Sequence, residues 1–267
     1  MAQPLIKDFI NRLYDAKKSQ SQVSLPEPQF LETQGMSHSG WRQRYLYEAL
    51  VLLLALIAVA LGSFLLPIRQ VLLLSLILIF IAMAFFLIIF EKSNRSSREM
   101  TVIASLIAIT VAARSVFYML PQFKPVGALV IIAGATLGPE VGFIVGSMTM
   151  LVSNIFFSQG PWTPWQMIAF GIIGFVAGLL VQTNILQQKR LPLAIFGFLS
   201  IFILYGGIIN PASVLMFTTE LNARMLLLSY VSGAPMDLVH ASATVIFIWF
   251  LAKPLIKKLN RIQAKLY

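Results

Sequence analysis

Long apolar stretches with almost no charge dominate this chain and restrict the folds that it can adopt. Between Ala49 and Phe90 the only charged residue is Arg69, and between Pro125 and Gln188 the only one is Glu140. A hydrocarbon core about 30 Å thick needs about 20 apolar residues of helix to cross it, and such runs recur along the sequence. A water-soluble core has no need of them, so the sequence predicts an all-α polytopic membrane protein.

The composition agrees with this class and excludes others. Hydrophobic residues make up 58% and charged residues 11% of the chain, whereas a soluble domain carries about 25% charged residues. The net charge of +10 does not indicate nucleic-acid binding, because the basic residues lie in short clusters at the ends of apolar runs, where they set orientation in a membrane. The chain has no cysteine, which excludes a disulfide framework and a thiolate metal site.

The apolar runs predict eight transmembrane helices, at about 47–66, 69–90, 100–119, 125–138, 140–157, 164–183, 192–209 and 234–252. An even number places both termini on one side. If that side is cytoplasmic, only Arg69, Arg114, Lys124 and Arg224 of the 20 basic residues lie at or beyond the outer side. This asymmetry predicts cytoplasmic N and C termini, and a seven-helix assignment would remove it.

We expect three parts along the chain. Residues 1–45 form a cytoplasmic N-terminal segment, because no apolar region close to Met1 resembles a signal peptide. An apolar face within residues 5–13 indicates either an interfacial helix or a mobile amphipathic tail. Residues 46–98 form an accessory pair of nearly featureless apolar helices, and residues 99–267 form a six-helix core with a basic C-terminus.

Two series of small residues repeat every four positions. Ala104, Ala108 and Ala112, called the alanine stripe below, lie about 40° apart in succession around a helix. Small residues permit close approach of helices in lipid, so the stripe indicates either a partner interface or packing inside the bundle. The second series, Gly134, Gly138, Gly142 and Gly146, predicts close helix packing, because the Lys-Ser/Thr pair of a phosphate-binding loop is absent.

A charged residue stands at the outer end of the predicted third helix. Arg114 lies about 240° around that helix from Ala108. It either extends to the interface or lines an outward-facing pocket, and we favour the pocket. Phe117, Tyr118 and Gln122 follow in a short outer connection and are the further candidates for ligand contact there.

The segment from Ser153 to Gln166 is the most informative part of the sequence. Two tryptophans are held between prolines beside neutral hydrogen-bonding groups, and the candidates are Asn154, Trp162, Thr163, Trp165 and Gln166. Interfacial tryptophans often form an aromatic belt. Apolar walls with a few polar groups are also the usual lining of a small-molecule pocket, and this interpretation is the one we favour.

The stretch Asn210–Gly233 is predicted to be an outer connection, in which Glu220 and Arg224 can pair. Asp237 and His240 follow, three residues apart on one face of the last helix and at its predicted outer end. They either hydrogen-bond to fix helices together or contact ligand. A zinc site would need more ligands, so no metal site is predicted.

Catalytic signatures such as HExxH, GxSxG and the Walker A motif are missing from the sequence. A membrane enzyme that uses Asp237 and His240 as a proton-transfer pair would need further acids or a nucleophile nearby. An ion-coupled secondary transporter would often show an internal repeat, and none is evident. Neither alternative thus has a supporting feature of this kind in the sequence.

The core from Met100 to Lys257 resembles a known family, the S component of energy-coupling-factor (ECF) vitamin transporters, which is the substrate-binding membrane subunit. Three features carry the resemblance: the alanine stripe, the loop Gly160-Pro161-Trp162-Thr163-Pro164-Trp165-Gln166, and Gly233-Ala234-Pro235-Met236-Asp237 with His240.

The resemblance implies a bacterial cell-membrane protein with a pocket that opens outward. It also implies a scaffold transmembrane subunit that docks on the alanine stripe, and two ATPases that bind ATP and Mg²⁺, with no intrinsic cofactor in this chain. The two additional N-terminal helices resemble the branch assigned to cobalamin and related corrinoids. Pantothenate, whose carboxylate can pair with Arg114, is the alternative ligand.

Overall fold

The computed structural model describes residues 38–93, 95–218 and 222–266, and this part of the chain is folded into helices without strands. The helices are α1 His38–Leu65, α2 Ile68–Lys92, α3 Ser97–Val116, α4 Val126–Leu137, α5 Pro139–Phe157, α6 Thr163–Gln182, α7 Arg190–Phe217 and α8 Ala223–Leu266. The predicted all-α polytopic membrane fold is confirmed for this part of the chain. The amphipathic segment predicted within residues 5–13 lies outside the described residues.

Six helices of the described part are long and apolar enough to cross a membrane, namely α2, α3, α5, α6, α7 and α8. Two apolar stretches are shorter, Tyr45–Ala55 within α1 and the whole of α4. The chain is therefore a multi-pass membrane protein. The helices α3 to α8 are called the core below, and the preceding α1 and α2 are called the accessory pair.

The predicted connection Asn210–Gly233 between the last two helices is wrong. Helix α7 continues to Phe217 and α8 begins at Ala223, so a short connection over 218–222 replaces the long one. Pro235 lies inside α8. A proline removes one backbone donor, but a membrane helix tolerates this loss when its neighbours satisfy the freed groups.

This correction moves two candidate site residues. Asp237 and His240 lie about 20–25 Å along α8 from its first residue, and not at its outer end as predicted. The predicted pairing of Glu220 with Arg224 cannot be assigned, because Glu220 lies outside the described residues.

Glycines bring α4, α5 and α6 into direct backbone contact. A Cβ added to Gly134 or to Gly142 would overlap the carbonyl oxygen of Gly174 on α6, and one added to Gly146 would overlap that of Phe170. Small residues permit this approach in a membrane, where packing replaces the hydrophobic effect between helices. The close helix packing predicted from the glycine series is confirmed at these three positions.

A single residue, Gly138, connects α4 to α5. Its φ of 103° is in the region that favours glycine. Helix α4 has 12 residues and α5 has 19, which correspond to about 18 Å and 28 Å of helix. Because the two helices meet at this turn, the outer end of α4 lies about 10 Å deeper than the outer end of α5. The connection 117–125 therefore joins helix ends at different depths, and its residues 118–121 are exposed.

The accessory pair packs against the core through aromatic rings. Phe86 of α2 stacks on Phe143 of α5, with ring centroids 3.8 Å apart and planes 11° apart. Phe86 also contacts Phe175 of α6 in a T-shaped arrangement, with ring centroids 5.4 Å apart. Tyr45 of α1 contacts the Phe175 ring as well, at 6.4 Å. Such pairs add to the stabilisation from burial. The first two helices are thus attached along α5 and α6, not along the alanine stripe of α3.

Polar side chains lie at the N-terminal ends of α3 and α5. Arg95 forms an ion pair of 3.2 Å with Glu140 at the start of α5, and both side chains are almost fully buried. The position of Glu140 in the first turn suits the positive end of that helix. Ser96 and Glu99 form a capping box that begins α3.

Candidate ligand-binding site

A hydrogen-bonded network joins the C-terminal ends of α3 and α5 to the N-terminal end of α6. The guanidinium of Arg114 donates to the Oγ of Ser153 and, over 2.8 Å, to the Oδ1 of Asn154. The amide of Asn154 donates in turn to the Oγ1 of Thr163, at 3.0 Å, and to the Oε1 of Gln166, at 2.8 Å. A buried polar group is costly unless it is hydrogen-bonded, and this network satisfies Asn154, which is 1% exposed.

The network brings together four of the residues predicted from the sequence, Arg114, Asn154, Thr163 and Gln166. Arg114 therefore turns toward α5 inside the bundle. It also lies over the ring of Phe157, 5.7 Å from its centroid, a distance at which a cation is attracted to an aromatic face.

Aromatic side chains lie next to the network. Tyr118 stacks on Phe157, with centroids 4.6 Å apart. Phe117 packs instead against Phe247 of α8, at 5.0 Å, and against Phe123 of the outer connection, at 6.2 Å. Of these two predicted residues, Tyr118 thus lies beside the Arg114 network, whereas Phe117 helps to fasten the connection 117–125 to α8.

The two tryptophans of the outer loop have different surroundings. Trp165 is buried, and its Nε1 has no hydrogen-bond partner among the described residues. Trp162 is half-buried, and its six-membered ring lies where a Cβ on Gly160 would stand, at 2.5 Å. The absence of a side chain at Gly160 therefore lets the Trp162 ring fold over the loop. The predicted Gln122 is half-buried and adopts a positive φ of 54°.

A second polar contact lies between α7 and α8. The amide of Asn210 donates to the carboxylate of Asp237 over 2.7 Å, and both side chains are buried. His240 lies one turn further along α8, with Tyr205 at 4.9 Å and Phe170 at 5.8 Å between ring centroids. Within the described part of the chain its buried Nδ1 has no hydrogen-bond partner. Asp237 thus bonds across the helix interface to Asn210 and not to His240.

Lys124 approaches this region from the connection 117–125. Its ammonium donates to the carbonyl oxygen of Leu120 over 2.9 Å. Burial lowers the pKa of Lys124 from its ordinary value, and the positive charge of Arg114 acts in the same direction. The two cations are therefore close enough to repel each other, and the site carries positive charge on its outer side.

The alanine stripe lies outside this site. Ala104, Ala108 and Ala112 are all exposed on α3, next to exposed Ser105 and Ile109. These exposed positions do not fit the interpretation that the stripe packs inside this chain's own bundle.

Several residues of the site were not predicted from the sequence. Ser153 and Phe157 lie inside the informative segment, so its unusual composition was a signal for them. Tyr205, Phe170 and Asn210 lie in apolar runs without a comparable signal.

The fold defines a polytopic α-helical membrane protein with a polar cluster toward one end of its helix bundle. The family model that matches the chain is that of the ECF-type riboflavin transporter, S component, over residues 94–261. The match covers more than half of the chain, and the chain belongs to this family. The family is a transporter subunit without catalytic function, so the resemblance seen in the sequence is confirmed.

Two curated relatives match part of the chain. A UPF0397 protein of Vibrio atlanticus (strain LGP32) is 33% identical over 103 residues, which are 38% of this chain and 56% of the relative. A UPF0397 protein of Aliivibrio salmonicida (strain LFI1238) is 30% identical over 108 residues, 39% of this chain and 57% of the relative. The chain thus spans little more than half the length of these relatives. No solved structure matches it significantly.

Proposed function

We propose that this chain captures a water-soluble vitamin at the outer half of its core and delivers it to an energy-coupling module for import. The observation that carries the proposal is the network from Arg114 through Asn154 to Gln166. It gathers charged and amide groups from three helices beside exposed and half-buried aromatic rings. Apolar walls with a few converging polar groups are the usual form of a small-molecule site.

Riboflavin is the first ligand to test. The matched family is named for it, and its flat ring with carbonyl acceptors suits Arg114, two amide side chains and aromatic faces. Aromatic stacking and charge-assisted hydrogen bonds are both available in this cluster.

Cobalamin or a related corrinoid, predicted from the sequence, is the second candidate ligand. The observation in its favour is the accessory pair, which departs from the usual six helices and packs firmly on the core through Phe86. Pantothenate is the third, because its carboxylate can pair with Arg114, and Lys124 adds a second cation nearby.

The proposed partners are a scaffold transmembrane subunit and two ATPases that bind ATP and Mg²⁺. The exposed alanine stripe on α3 supports a docking surface for the scaffold subunit, since small residues permit close helix contact. The proposed orientation has both termini in the cytoplasm of a bacterial cell, and the distribution of basic residues supports it.

The test is to purify the full chain in detergent and to identify by mass spectrometry the small molecules that it retains. Equilibrium binding of riboflavin, cobalamin and pantothenate to the same preparation then decides among them. Saturable binding of one vitamin, together with co-purification of an ATPase pair from the native membrane, supports the proposal. A chain that binds no vitamin, or a transport activity that persists without ATPases, contradicts it.

A further inference from the structure

Helix α7 changes its winding halfway along its length. Residues Ser200–Tyr205 form a π-helix between the α-helical parts Arg190–Leu199 and Gly206–Phe217. A π turn holds one residue more than an α turn and is frequent at functional sites. It therefore changes which side chains of the outer half of α7 face the core.

The burial pattern shows the effect of this turn. In an uninterrupted α-helix, Gly206 would lie about 180° around the axis from Gly197, yet both are buried in the core. Tyr205 would lie about 80° from Gly197, and the additional residue returns it to the same face. The π turn thus places Tyr205 inside the bundle and brings Asn210 to Asp237.

Tyr205 lies between the two polar clusters of the site. Its ring contacts His240 of α8 in a T-shaped arrangement at 4.9 Å and Phe170 of α6 at 5.0 Å. Its hydroxyl interacts with the side chain of Gln166, the last member of the Arg114 network. One side chain thus connects the network at the ends of α3, α5 and α6 to the contacts between α7 and α8.

The aromatic cluster of Tyr205, Phe170 and His240 contains one polar atom that is left without a partner. Among the described residues, the Nδ1 of His240 is buried and has no hydrogen-bond partner, although the side chain is 4% exposed. Buried polar atoms of native proteins are nearly always hydrogen-bonded, to protein, water or ligand. The cluster of Tyr205, Phe170 and His240 thus combines aromatic faces with a buried polar atom that lacks a partner, and this combination suits the ring of a heteroaromatic ligand.

We propose that Tyr205 is a specificity-determining residue that contacts the heteroaromatic part of the ligand, and that the π turn of α7 is the device that positions it. The Arg114 network then holds the polar part of the same ligand. This inference rests on the proposed function, and it assigns the ring of the ligand to the floor formed by Tyr205, Phe170 and His240.

The test uses the purified full chain with two probes, riboflavin and lumiflavin, the latter of which keeps the ring and lacks the ribityl chain. Tyr205→Phe removes only the hydroxyl and should weaken binding of both probes about threefold to tenfold, the usual effect of one hydrogen bond. Tyr205→Leu also removes the ring, and its loss should exceed tenfold. Because both probes carry the ring, each variant should lose the same factor for both.

Two matched controls separate ligand contact from general damage. Tyr230→Phe removes the hydroxyl of an exposed tyrosine that donates to the carbonyl oxygen of Gly207. Phe202→Leu removes an exposed ring from the same π turn. Both should bind riboflavin like the wild type, and all four variants should elute as single species in size-exclusion chromatography.

The possible outcomes are distinct. Wild-type affinity in both Tyr205 variants, with riboflavin bound by the wild type, overturns this inference and leaves the proposed function standing. A loss for riboflavin without a loss for lumiflavin places Tyr205 at the ribityl chain and also overturns it. If the wild type binds neither riboflavin nor another vitamin, the proposed function fails, and the inference that depends on it fails as well.

Discussion

Asn210 of α7 donates a hydrogen bond of 2.7 Å to the carboxylate of Asp237 on α8. Two glycines leave the room for this contact. A Cβ on Gly206 would stand 2.7 Å from the Oδ2 of Asp237, and one on Gly233 would overlap the Oδ1 of Asn210. The pair is thus enclosed by backbone on both sides and fixes the separation of the two helices.

Asp237→Ala should lower stability more than it lowers ligand affinity. It leaves the buried amide of Asn210 without its acceptor, which typically costs about 1–3 kcal/mol. Thermal melting in detergent measures this loss, and the double variant with Asn210→Ala should recover part of it because both partners are then absent. An unchanged melting temperature together with weaker vitamin binding would instead assign Asp237 to ligand contact.

Replacement of the loop tryptophans should weaken vitamin binding. Trp162→Ala and Trp165→Ala each remove aromatic surface, and we expect a loss of roughly 1–3 kcal/mol in binding free energy. Trp249→Ala is a suitable control, since this ring is exposed on α8 near Arg190 at the opposite end of the core. Equal vitamin affinity in the wild type and in both loop variants would indicate that the two tryptophans form an aromatic belt and do not contact the ligand.

Ala108→Leu should impair energy coupling and spare vitamin binding. The substitution adds a branched side chain to the exposed alanine stripe, and overfilling of a packed interface typically costs about 1–3 kcal/mol. We expect normal equilibrium binding by the isolated chain and reduced uptake by vesicles that contain the complete transporter.

The matched control for Ala108→Leu is Ala84→Leu. Ala84 is an exposed alanine on α2 of the accessory pair, and its replacement should leave uptake unchanged. Loss of binding and uptake together in the Ala108 variant would contradict the docking interpretation, because the substitution would then damage the chain itself.

Gly142→Ala should destabilise the fold severely, because the new Cβ would overlap the carbonyl oxygen of Gly174. Backbone atoms cannot move aside as a flexible side chain can, so the cost should reach or exceed the 1–3 kcal/mol typical of overpacking. Gly207→Ala is the control, since no heavy atom lies within 4 Å of its added Cβ. Melting temperatures should fall for the first variant and stay or rise slightly for the second. Equal melting temperatures would contradict the close contact between α5 and α6 at Gly142 and Gly174.

Stability should rise with pH through the alkaline range because of Lys124. Burial and Arg114 lower the pKa of Lys124 in the folded protein, so the unfolded chain binds more protons between the folded and unfolded pKa values. The folded state is therefore penalised at lower pH, and the penalty disappears as the pH rises toward about 10.4, the unfolded value. This rise in stability with pH should be absent in Lys124→Met and should persist in the control variant Lys257→Met. Parallel melting curves for wild type and Lys124→Met at every pH would count against the assignment.

Most of the architecture could be predicted from the sequence, because the membrane imposes a length and a polarity on each helix. The extent of the last two helices around their connection could not be predicted from the sequence. Pro235 and Gly233 suggested a loop, whereas tertiary contacts keep both residues inside α8. Helix propensity is a weak prior, and packing overrides it.

The residues of the candidate site could likewise be predicted only in part. The residues from Ser153 to Gln166 stood out because polar groups and tryptophans are rare in such a sequence, and the structure brings several of them to Arg114. Tyr205 did not stand out. Its inward position depends on the additional residue of a π turn. Neither the periodicity of an α-helix nor the composition of this apolar run indicates such a turn.

The glycine contacts of α4, α5 and α6 also bear on how the protein can move. Where backbone meets backbone at Gly134, Gly142 and Gly174, no layer of adaptable side chains remains that could slide or re-pack. These three helices should therefore behave as one rigid block. Any opening that admits or releases a ligand then falls to the parts that lack such contacts, namely the connection 117–125, the loop 158–162 and the paired outer halves of α7 and α8.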